Sequence, residues 1–154
     1  MRTTTCAALL LSYLAMTGCA SVPMEGMEET SIVKKFNPPV EGSSGLYIYR
    51  PSSLGGAVKM DVWVDGKCIG ESAPYVFFCE EVEGDKSHKV STESLVVTKD
   101  EQLIKVKSGM HYFIRQYIKF GVFVGGAGLE LVDEEKGKKE VSELDMATKG
   151  TCSK

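Results

Sequence analysis

Histidine is scarce in this chain, which has two, His88 and His111, far apart in the sequence. Metal-binding histidines usually stand a few residues apart or beside cysteine ligands, so this pair predicts no metal site. No serine occurs in the G-x-S-x-G turn that exposes the nucleophile of many hydrolases. We expect both histidines at strand ends or on the surface, and a cryptic hydrolase is the least favoured function.

Clustered basic residues are also missing. Lysine and arginine total 18 against 21 acidic residues, which gives a net charge of −3 at pH 7. Binding to nucleic acid phosphates needs a concentrated positive surface, so we predict no nucleic-acid partner. The glycine-rich run 125–128 is not followed by the Lys-Ser or Lys-Thr of a phosphate-binding loop. In a strand context it predicts a bulge or a sheet corner.

No apolar run is long enough to cross a bilayer, which takes about 20 residues. The mostly apolar run 7–15 follows the single basic residue Arg2 and leads into Met16-Thr17-Gly18-Cys19. This order predicts a removable signal peptide over residues 1–18. Its end resembles the lipobox of bacterial lipoproteins, where the cysteine at the cut is acylated, although the lipobox usually has leucine where this chain has Met16. The alternatives are ordinary secretion with a free thiol at Cys19, or an uncleaved anchor.

Acylation predicts where the mature protein resides. Cys19 is expected to carry diacylglycerol and an N-acyl chain, which together hold a protein stably on a membrane. We expect no other cofactor. Neither Ala20 nor Ser21 resembles the aspartate that retains lipoproteins at the inner membrane, so we expect the outer membrane, facing the periplasm. Loss of residues 1–18 removes Arg2 and leaves 17 basic against 21 acidic residues, a net charge of −4.

The mature chain has the length of one compact domain. Residues 19–44 contain several prolines and glycines between charged residues, and this composition predicts a flexible tether, with local docking or a short strand as the alternative for its few apolar residues. Period-two alternation begins at residue 45 and predicts a domain over residues 45–146. The last residues, 147–154, are expected to form a frayed tail.

Short alternating runs separated by turn residues predict strands throughout the domain. The dipeptide Asp65-Gly66 between two such runs predicts a tight hairpin turn. Residues 133–139 are expected to form a charged turn, and residues 140–146 an edge strand or a short helix. The predicted strands cover residues 46–50, 59–64, 67–71, 75–82, 88–97, 101–107 and 110–120. With no sustained helical period, the pattern predicts a single small antiparallel β-sandwich of the immunoglobulin or transthyretin kind.

Three of the five cysteines, Cys68, Cys79 and Cys152, belong to the predicted domain and tail. Cys68 and Cys79 lie symmetrically about Ala73-Pro74, so a chain reversal there predicts that they face each other. Two interpretations stay open for them: a disulfide, or two thiols that pack as small apolar side chains. Cys152, in the polar tail, is expected to be exposed.

The stretches YIYRPSSLGGAVKMDVWVDGKCIGE, VSTES and GMHYFIRQYIKFGVFVGGAGLELVDEEKG resemble the bacterial lipoprotein family DUF2846 over residues 45–146. The resemblance implies a small β-sandwich on a lipid anchor and implies no activity. The stretch VWVDGKCIGESAP is more weakly similar to the PEGA repeats of surface proteins, which are also β-sandwiches.

Aromatic and cationic residues on the predicted strands suggest a binding surface. Such residues are enriched in interface hot spots, and an outward orientation would place them in one patch. The alternative is that Trp63 and most of the tyrosines fill the core. The candidate residues are Tyr47, Tyr49, Arg50, Trp63, Arg115 and Tyr117.

These observations predict a non-catalytic binding or scaffolding module, anchored to the membrane by lipid, for another envelope protein. Binding of cell-wall glycan is the alternative, because exposed aromatic rings stack on sugar faces. A cryptic periplasmic hydrolase is the third.

Overall fold

A computed structural model describes residues 20–93, 99–119 and 126–153 of the chain. Within these residues, nine strands form two sheets, accompanied by two short helices. The elements are α1 (Met27–Val33), β1 (Ser43–Arg50), β2 (Met60–Val64), β3 (Lys67–Ser72), β4 (Val76–Glu83), β5 (Ser87–Glu93), β6 (Asp100–Lys105), β7 (His111–Lys119), β8 (Gly126–Val132), α2 (Glu134–Ser142) and β9 (Asp145–Met146).

The two sheets pack face to face as a β-sandwich, which confirms the predicted all-β class. The five-stranded sheet has the order β8-β7-β1-β4-β9, and the four-stranded sheet has the order β3-β2-β5-β6. Most neighbours are antiparallel, but β1 pairs with β7, and β4 with β9, in parallel. The sandwich is therefore mixed rather than purely antiparallel as predicted.

The core between the sheets is built by alternate residues of each strand, as period-two patterning requires. These side chains are almost fully buried, and each contributes about 1.5–3 kcal/mol by leaving water. The members include Leu46, Ile48, Val62, Val64, Phe78, Val90, Ile104, Ile114 and Leu129.

A second apolar cluster covers the outer face of the five-stranded sheet. Tyr47, Tyr49, Phe77 and Phe113 line that face, and Val141 on α2 is among the residues that bury them. The chain before β1 adds to this cover with Val33, Phe36 and their neighbours. Strands β1 and β4 of the five-stranded sheet are therefore covered on both faces over much of their length, which a strictly alternating pattern does not predict.

The segment before β1 is not the freely hanging tether that its composition predicts. Val22 packs against the inner core, α1 lies against the outer face of the five-stranded sheet, and Phe36 contacts the rings of Tyr47 and Phe113. The alternative of local docking, by Val33 and Phe36, is the one that the structure shows. The structural domain therefore begins by residue 20 rather than at residue 45.

The C-terminal residues are likewise held against the domain instead of fraying. Ala147 is buried, and the Gly150 N–H donates to the Ile69 carbonyl at 3.0 Å. The Ser153 N–H and Oγ both donate to the carboxylate of Asp61. The prediction of a flexible tail over residues 147–154 is therefore wrong for the residues that the structure describes.

A disulfide joins Cys68 and Cys152, whose Cα atoms lie 6.0 Å apart. The suggested pairing of Cys68 with Cys79 is wrong, because the chain does not reverse into a hairpin at Pro74. It crosses instead from β3 in one sheet to β4 in the other. Cys79 keeps a free thiol and is partly buried, whereas Cys152, expected to be exposed, is bonded.

Local turn chemistry explains two further elements. Asp65 and Gly66 both have positive φ, 50° and 80°, and close the β2–β3 hairpin as predicted. Residues 133–139, predicted as a turn, instead begin α2, where the Asp133 side chain accepts a hydrogen bond from the Lys136 N–H. No helix in residues 20–93, 99–119 or 126–153 is long and apolar enough to span a membrane.

Candidate binding site

The six residues predicted to form a binding surface do not form one patch. Tyr47 and Tyr49 are 3 % and 1 % exposed, because the cover formed by α2 and the segment before β1 lies over them. Burial raises the pKa of both phenols, and the hydrogen bond from Tyr49 to Glu140 adds to its shift. For these tyrosines the alternative of a core position is correct.

Arg50 is 1 % exposed and holds a loop rather than a ligand. Its guanidinium donates to the carbonyls of Val58, Leu54 and Gly55 at 2.7–2.9 Å. Desolvation by burial lowers the pKa of Arg50, but a guanidinium remains charged in proteins. These hydrogen bonds fix the course of residues 51–59, between β1 and β2.

Trp63 lies on the outer face of the four-stranded sheet, away from the other five residues. It borders a shallow depression of about 250 Å³ together with Gly66, Lys89 and Ser91. The C-terminal residues run along the neighbouring strands, because Cys152 is bonded to Cys68, the residue paired with Trp63 across β2 and β3. The tail thus occupies part of the face on which Trp63 was expected to bind.

Arg115 and Tyr117 remain accessible, on the outer face of β7. The Arg115 guanidinium contacts Glu130 at 2.6 Å and Glu140 at 3.4 Å, and these carboxylates raise its pKa. The Tyr117 ring lies on Gly128 so closely that any Cβ there would be 2.5 Å from the ring. Arg115, Gln116, Tyr117 and Glu130 line a depression of about 530 Å³ with Pro51 and Ser52.

The two histidines lie in different sheets, on β5 and β7. The two ring nitrogens of His88 contact Asp65 Oδ2 at 2.6 Å and the Glu83 carbonyl at 2.7 Å, so this ring links two turns. His111 Nε2 contacts the Asn37 carbonyl at 3.0 Å. No three metal-binding side chains cluster within the described residues.

A cleft of about 580 Å³, which we call the β4 cleft, lies beside β4. One wall is the segment of α1, with Glu25, Glu29 and Val33, and the floor includes Cys79 and Glu81. Met146, Ala147 and Lys149 close one side. A second depression of about 220 Å³ shares Val33, Cys79 and Glu81 with it and extends along Pro38, Pro39 and Val40.

The edge of β4 is open along this cleft. β9 pairs only with Val76 and Phe77, whereas β4 continues to Glu83. On the β9 side of β4, the Phe77 carbonyl accepts from the Ala147 N–H. On the β1 side, the N–H of Gly84, just after β4, donates to the Gly42 carbonyl. Backbone groups alternate between the two edges of a strand, so those of Cys79 and Glu81 face the cleft. No described strand pairs with this part of the edge.

The surroundings of the cleft are acidic and apolar. Glu25, Glu29 and Glu81 line it against the single ammonium of Lys149, which is paired with Glu80 at 2.5 Å. Burial raises the pKa of the Cys79 thiol, so the thiol is neutral rather than a nucleophilic thiolate. Four exposed apolar residues stand on the segment that forms the wall: Met24, Met27, Ile32 and Val40.

The sequence contained a signal for the burial of the tyrosines. Residues 45–49 of β1 contain no charged residue on either face, which is typical of a strand buried on both sides. No comparable signal marked the β4 edge, because its openness depends on where β9, distant in sequence, ends.

Comparison with known proteins places the chain in a family. The model of the family described as proteins of unknown function, DUF2846, matches residues 40–127. The chain belongs to the DUF2846 family. A DUF2846 chain is thus expected to share the fold of β1–β7, which this range contains. An uncharacterized protein of Haemophilus influenzae is 54 % identical over 134 residues, which cover 87 % of this chain and 79 % of the relative. No solved structure matches the chain.

The range matched by the DUF2846 model includes one part of the candidate site and leaves out another. It contains β4 and therefore the open edge, whereas α1, α2, β9 and Cys152 lie outside residues 40–127. The wall of the β4 cleft is thus formed by a segment of this chain that the family model does not cover.

Proposed function

We propose that this DUF2846 protein is a lipid-anchored, non-catalytic binding module of the bacterial envelope. Its partner is another envelope protein, which inserts an extended segment into the β4 cleft. The observation that carries the proposal is the open edge of β4 at Cys79 and Glu81, inside a cleft of about 580 Å³.

An open strand edge offers hydrogen bonds that an extended peptide can use. Exposed edges are usually blunted by charge, proline or covering loops, because they pair readily with other chains. At the β4 edge the covering strand β9 stops after two residue pairs. A peptide that adds a strand there gains main-chain hydrogen bonds, while pockets beside the edge select its side chains.

The lining of the cleft indicates the chemistry of that segment. The carboxylates of Glu25, Glu29 and Glu81 favour lysine or arginine, and Val33 and Met146 favour apolar side chains. The partner segment is therefore extended, with basic and apolar residues in alternation.

The envelope location rests on the sequence of the signal and is supported by the cysteine chemistry. Cys19 lies outside the described residues, and its lipobox context is the reason to propose acylation. A disulfide such as Cys68–Cys152 persists in oxidising compartments, which include the bacterial periplasm.

Photo-crosslinking in intact cells tests the partner. A photo-reactive side chain at Glu29, in the cleft wall, is introduced into the full chain with its signal. We expect one envelope protein to be captured, and we expect Glu81→Pro to remove the cross-link because it deletes the N–H that faces the cleft. A Cys19→Ala form tests whether capture needs the anchor.

The matched control is Leu103→Pro. Leu103 lies on β6, the edge strand of the other sheet. Its N–H also faces away from the neighbouring strand, because the N–H of Val106, an odd number of residues away, donates to the Lys86 carbonyl just before β5. Leu103→Pro is expected to leave the cross-link unchanged. Retention of the same cross-link in the Glu81→Pro form would show that the β4 edge does not bind the partner.

Glycan binding is the second candidate, and it has its own observation. The Tyr117 ring packs against Gly128, is 36 % exposed, and borders the depression that contains Arg115. An aromatic platform beside paired charges is suited to stacking on a sugar ring. Co-sedimentation with purified cell-wall sacculi tests this function: glycan binding predicts retention by the wild type and loss in Tyr117→Ala, with Tyr112→Ala as the control.

A further inference from the structure

The first described residue of the chain is fixed to one end of the sandwich. The Ala20 N–H donates to the Gly56 carbonyl at 2.8 Å, in the connection between β1 and β2. Ala20 directly follows Cys19, the proposed site of acylation. The proposed anchor is therefore joined to the domain through Ala20, which is held at the Gly56 carbonyl.

This end of the sandwich, which we call the Ala20 end, consists of Ala20 and the connections 51–59 and 73–75. Lys59 is the one charged residue in these two connections, and neither contains a carboxylate. The two connections lie side by side here, since a Cβ at Gly56 would stand 3.8 Å from the ring of Pro74. Leu54 and Tyr75 are 44 % and 53 % exposed on it.

The charged residues at this end lie where strands begin or end. β5 ends at Glu93 and β7 at Lys119, and Lys119 Nζ contacts Asp100 at the start of β6 at 2.9 Å.

The opposite end of the sandwich, which we call the charged end, carries carboxylates in its turns. It contains the turns 65–66 and 84–86 and the connection 106–110. Asp65 and Asp85 lie in the two turns, and Lys86 and Lys107 add positive charges. The described connections of the Ala20 end contain no carboxylate, so the chain enters at the end without acidic connections.

We propose that the Ala20 end is a membrane-docking surface that rests on the lipid bilayer holding the anchor. The inference depends on the proposed acylation of Cys19, because that residue brings the bilayer to Gly56. Leu54 enters the boundary of the acyl chains, and Tyr75 lies at the level of the head groups, where tyrosine is enriched. The domain then stands upright on the membrane instead of hanging from a tether.

This orientation leaves the β4 cleft accessible from the side. Leu54 and Tyr75 are held in place for docking, since Arg50 binds the Leu54 carbonyl and the Tyr75 N–H donates to the Arg50 carbonyl. Tyr75 also has a φ of 62°, a conformation that is unfavourable for tyrosine and that projects it into solvent.

Fluorescence quenching by lipid tests the orientation. The full chain is purified with its acyl groups and reconstituted into vesicles of phosphatidylethanolamine and phosphatidylglycerol, with or without brominated phosphatidylcholine. The single tryptophan is first removed by Trp63→Phe, which deletes a buried indole N–H that has no partner among the described residues. One tryptophan is then introduced by Leu54→Trp or, as the control, by Met110→Trp.

The two positions are matched in exposure and lie at opposite ends. Leu54 is 44 % exposed at the Ala20 end, and Met110 is 45 % exposed at the charged end. We expect brominated lipid to lower the fluorescence of the Leu54→Trp form by about half and to leave the Met110→Trp form unchanged, because bromine quenches only within the bilayer. Circular dichroism of each form before reconstitution confirms that it is folded.

The outcomes separate the inference from the proposed function. Vesicles that float without the protein would show that the chain is not anchored, which overturns both. Flotation of the protein with no quenching of the Leu54→Trp form, or with equal quenching of both forms, would preserve the anchor and overturn the docking of the Ala20 end.

Discussion

At the scale of single residues, the polar side chains of this protein hold turns and loops in place. The Arg50 guanidinium donates to three backbone carbonyls. The buried Gln116, on β7 of one sheet, is hydrogen-bonded to Ser72 on β3 and Thr92 on β5 of the other. A buried polar group is stable only if its hydrogen bonds are satisfied, so these residues fix the alignment of the sheets. None of them is available to a ligand in this arrangement.

His88 predicts how stability depends on pH. Burial lowers the pKa of His88, but its contacts with Asp65 and the Glu83 carbonyl raise it more, so the folded pKa lies above the ordinary 6.5. Burial raises the pKa of Asp65, but the hydrogen bonds from His88 and the Lys89 N–H lower it by more. The pKa of Asp65 therefore lies below its ordinary 3.8. The stability due to His88 is therefore complete below about pH 6.5 and disappears as pH rises through the folded pKa.

We expect the free energy of unfolding in urea to fall between about pH 5.5 and pH 8.5 in the wild type, and this fall to vanish in His88→Gln. The variant loses about 1 kcal/mol at the lower pH, because Asp65 is half exposed and its contribution is screened. His111→Gln is the control and is expected to keep the pH dependence. An unchanged slope in His88→Gln would contradict the assignment.

At the scale of elements, the helices cover the outer face of the five-stranded sheet, and the C-terminal tail is attached to β3 of the other sheet. The strands could be predicted from sequence because alternation and turn residues such as Asp65-Gly66 are local signals. The pairing of Cys68 with Cys152 could not, because it depends on contacts across 84 residues and on the crossing of the chain between sheets at Pro74. The β4 cleft was missed for the same reason.

Gly137 shows how closely α2 lies on the five-stranded sheet. A Cβ at this position would stand 2.2 Å from Phe113 Cγ. Glycine to alanine usually stabilises a helix by about 1 kcal/mol, but here we expect Gly137→Ala to destabilise the protein by about 1–3 kcal/mol through overpacking. Thermal unfolding measures the effect. Gly150→Ala, with open space around the new Cβ, is the control, and a gain in stability for Gly137→Ala would refute this packing.

The disulfide predicts the strength of the C-terminal attachment. It closes a loop of 84 residues, so Cys152→Ser is expected to lower the free energy of unfolding by about 3–5 kcal/mol. Peptide mapping without reduction should recover Cys68 linked to Cys152 and Cys79 as a free thiol. Cys79→Ser is the control and leaves the linkage intact. A linkage between Cys68 and Cys79 would contradict the fold of the tail.

At the scale of the whole molecule, the segment that follows the proposed anchor is packed on the domain from Ala20 onward. The composition of residues 19–44 predicts a flexible tether because proline and glycine are read locally, whereas the structure buries Thr30 and packs Val33 and Phe36 on the sheet. A segment of low apolar content becomes ordered when a preformed surface supplies the missing contacts. The tether is therefore part of the domain, and with it the wall of the β4 cleft.

Acylation of Cys19 can be tested independently of any partner. We expect the wild type to incorporate labelled palmitate and to pellet with membranes, and Cys19→Ala to do neither, since two or more acyl chains are required for stable anchoring. Both forms keep Ala20, whose N–H binds the Gly56 carbonyl, so we expect the thermal midpoint of the purified domain to be the same in both. Cys79→Ala, which also removes one thiol, is expected to remain acylated. If Cys19→Ala still pellets with membranes, acyl chains on Cys19 are not the attachment, and either an uncleaved segment 1–18 or the Ala20 end holds the protein there.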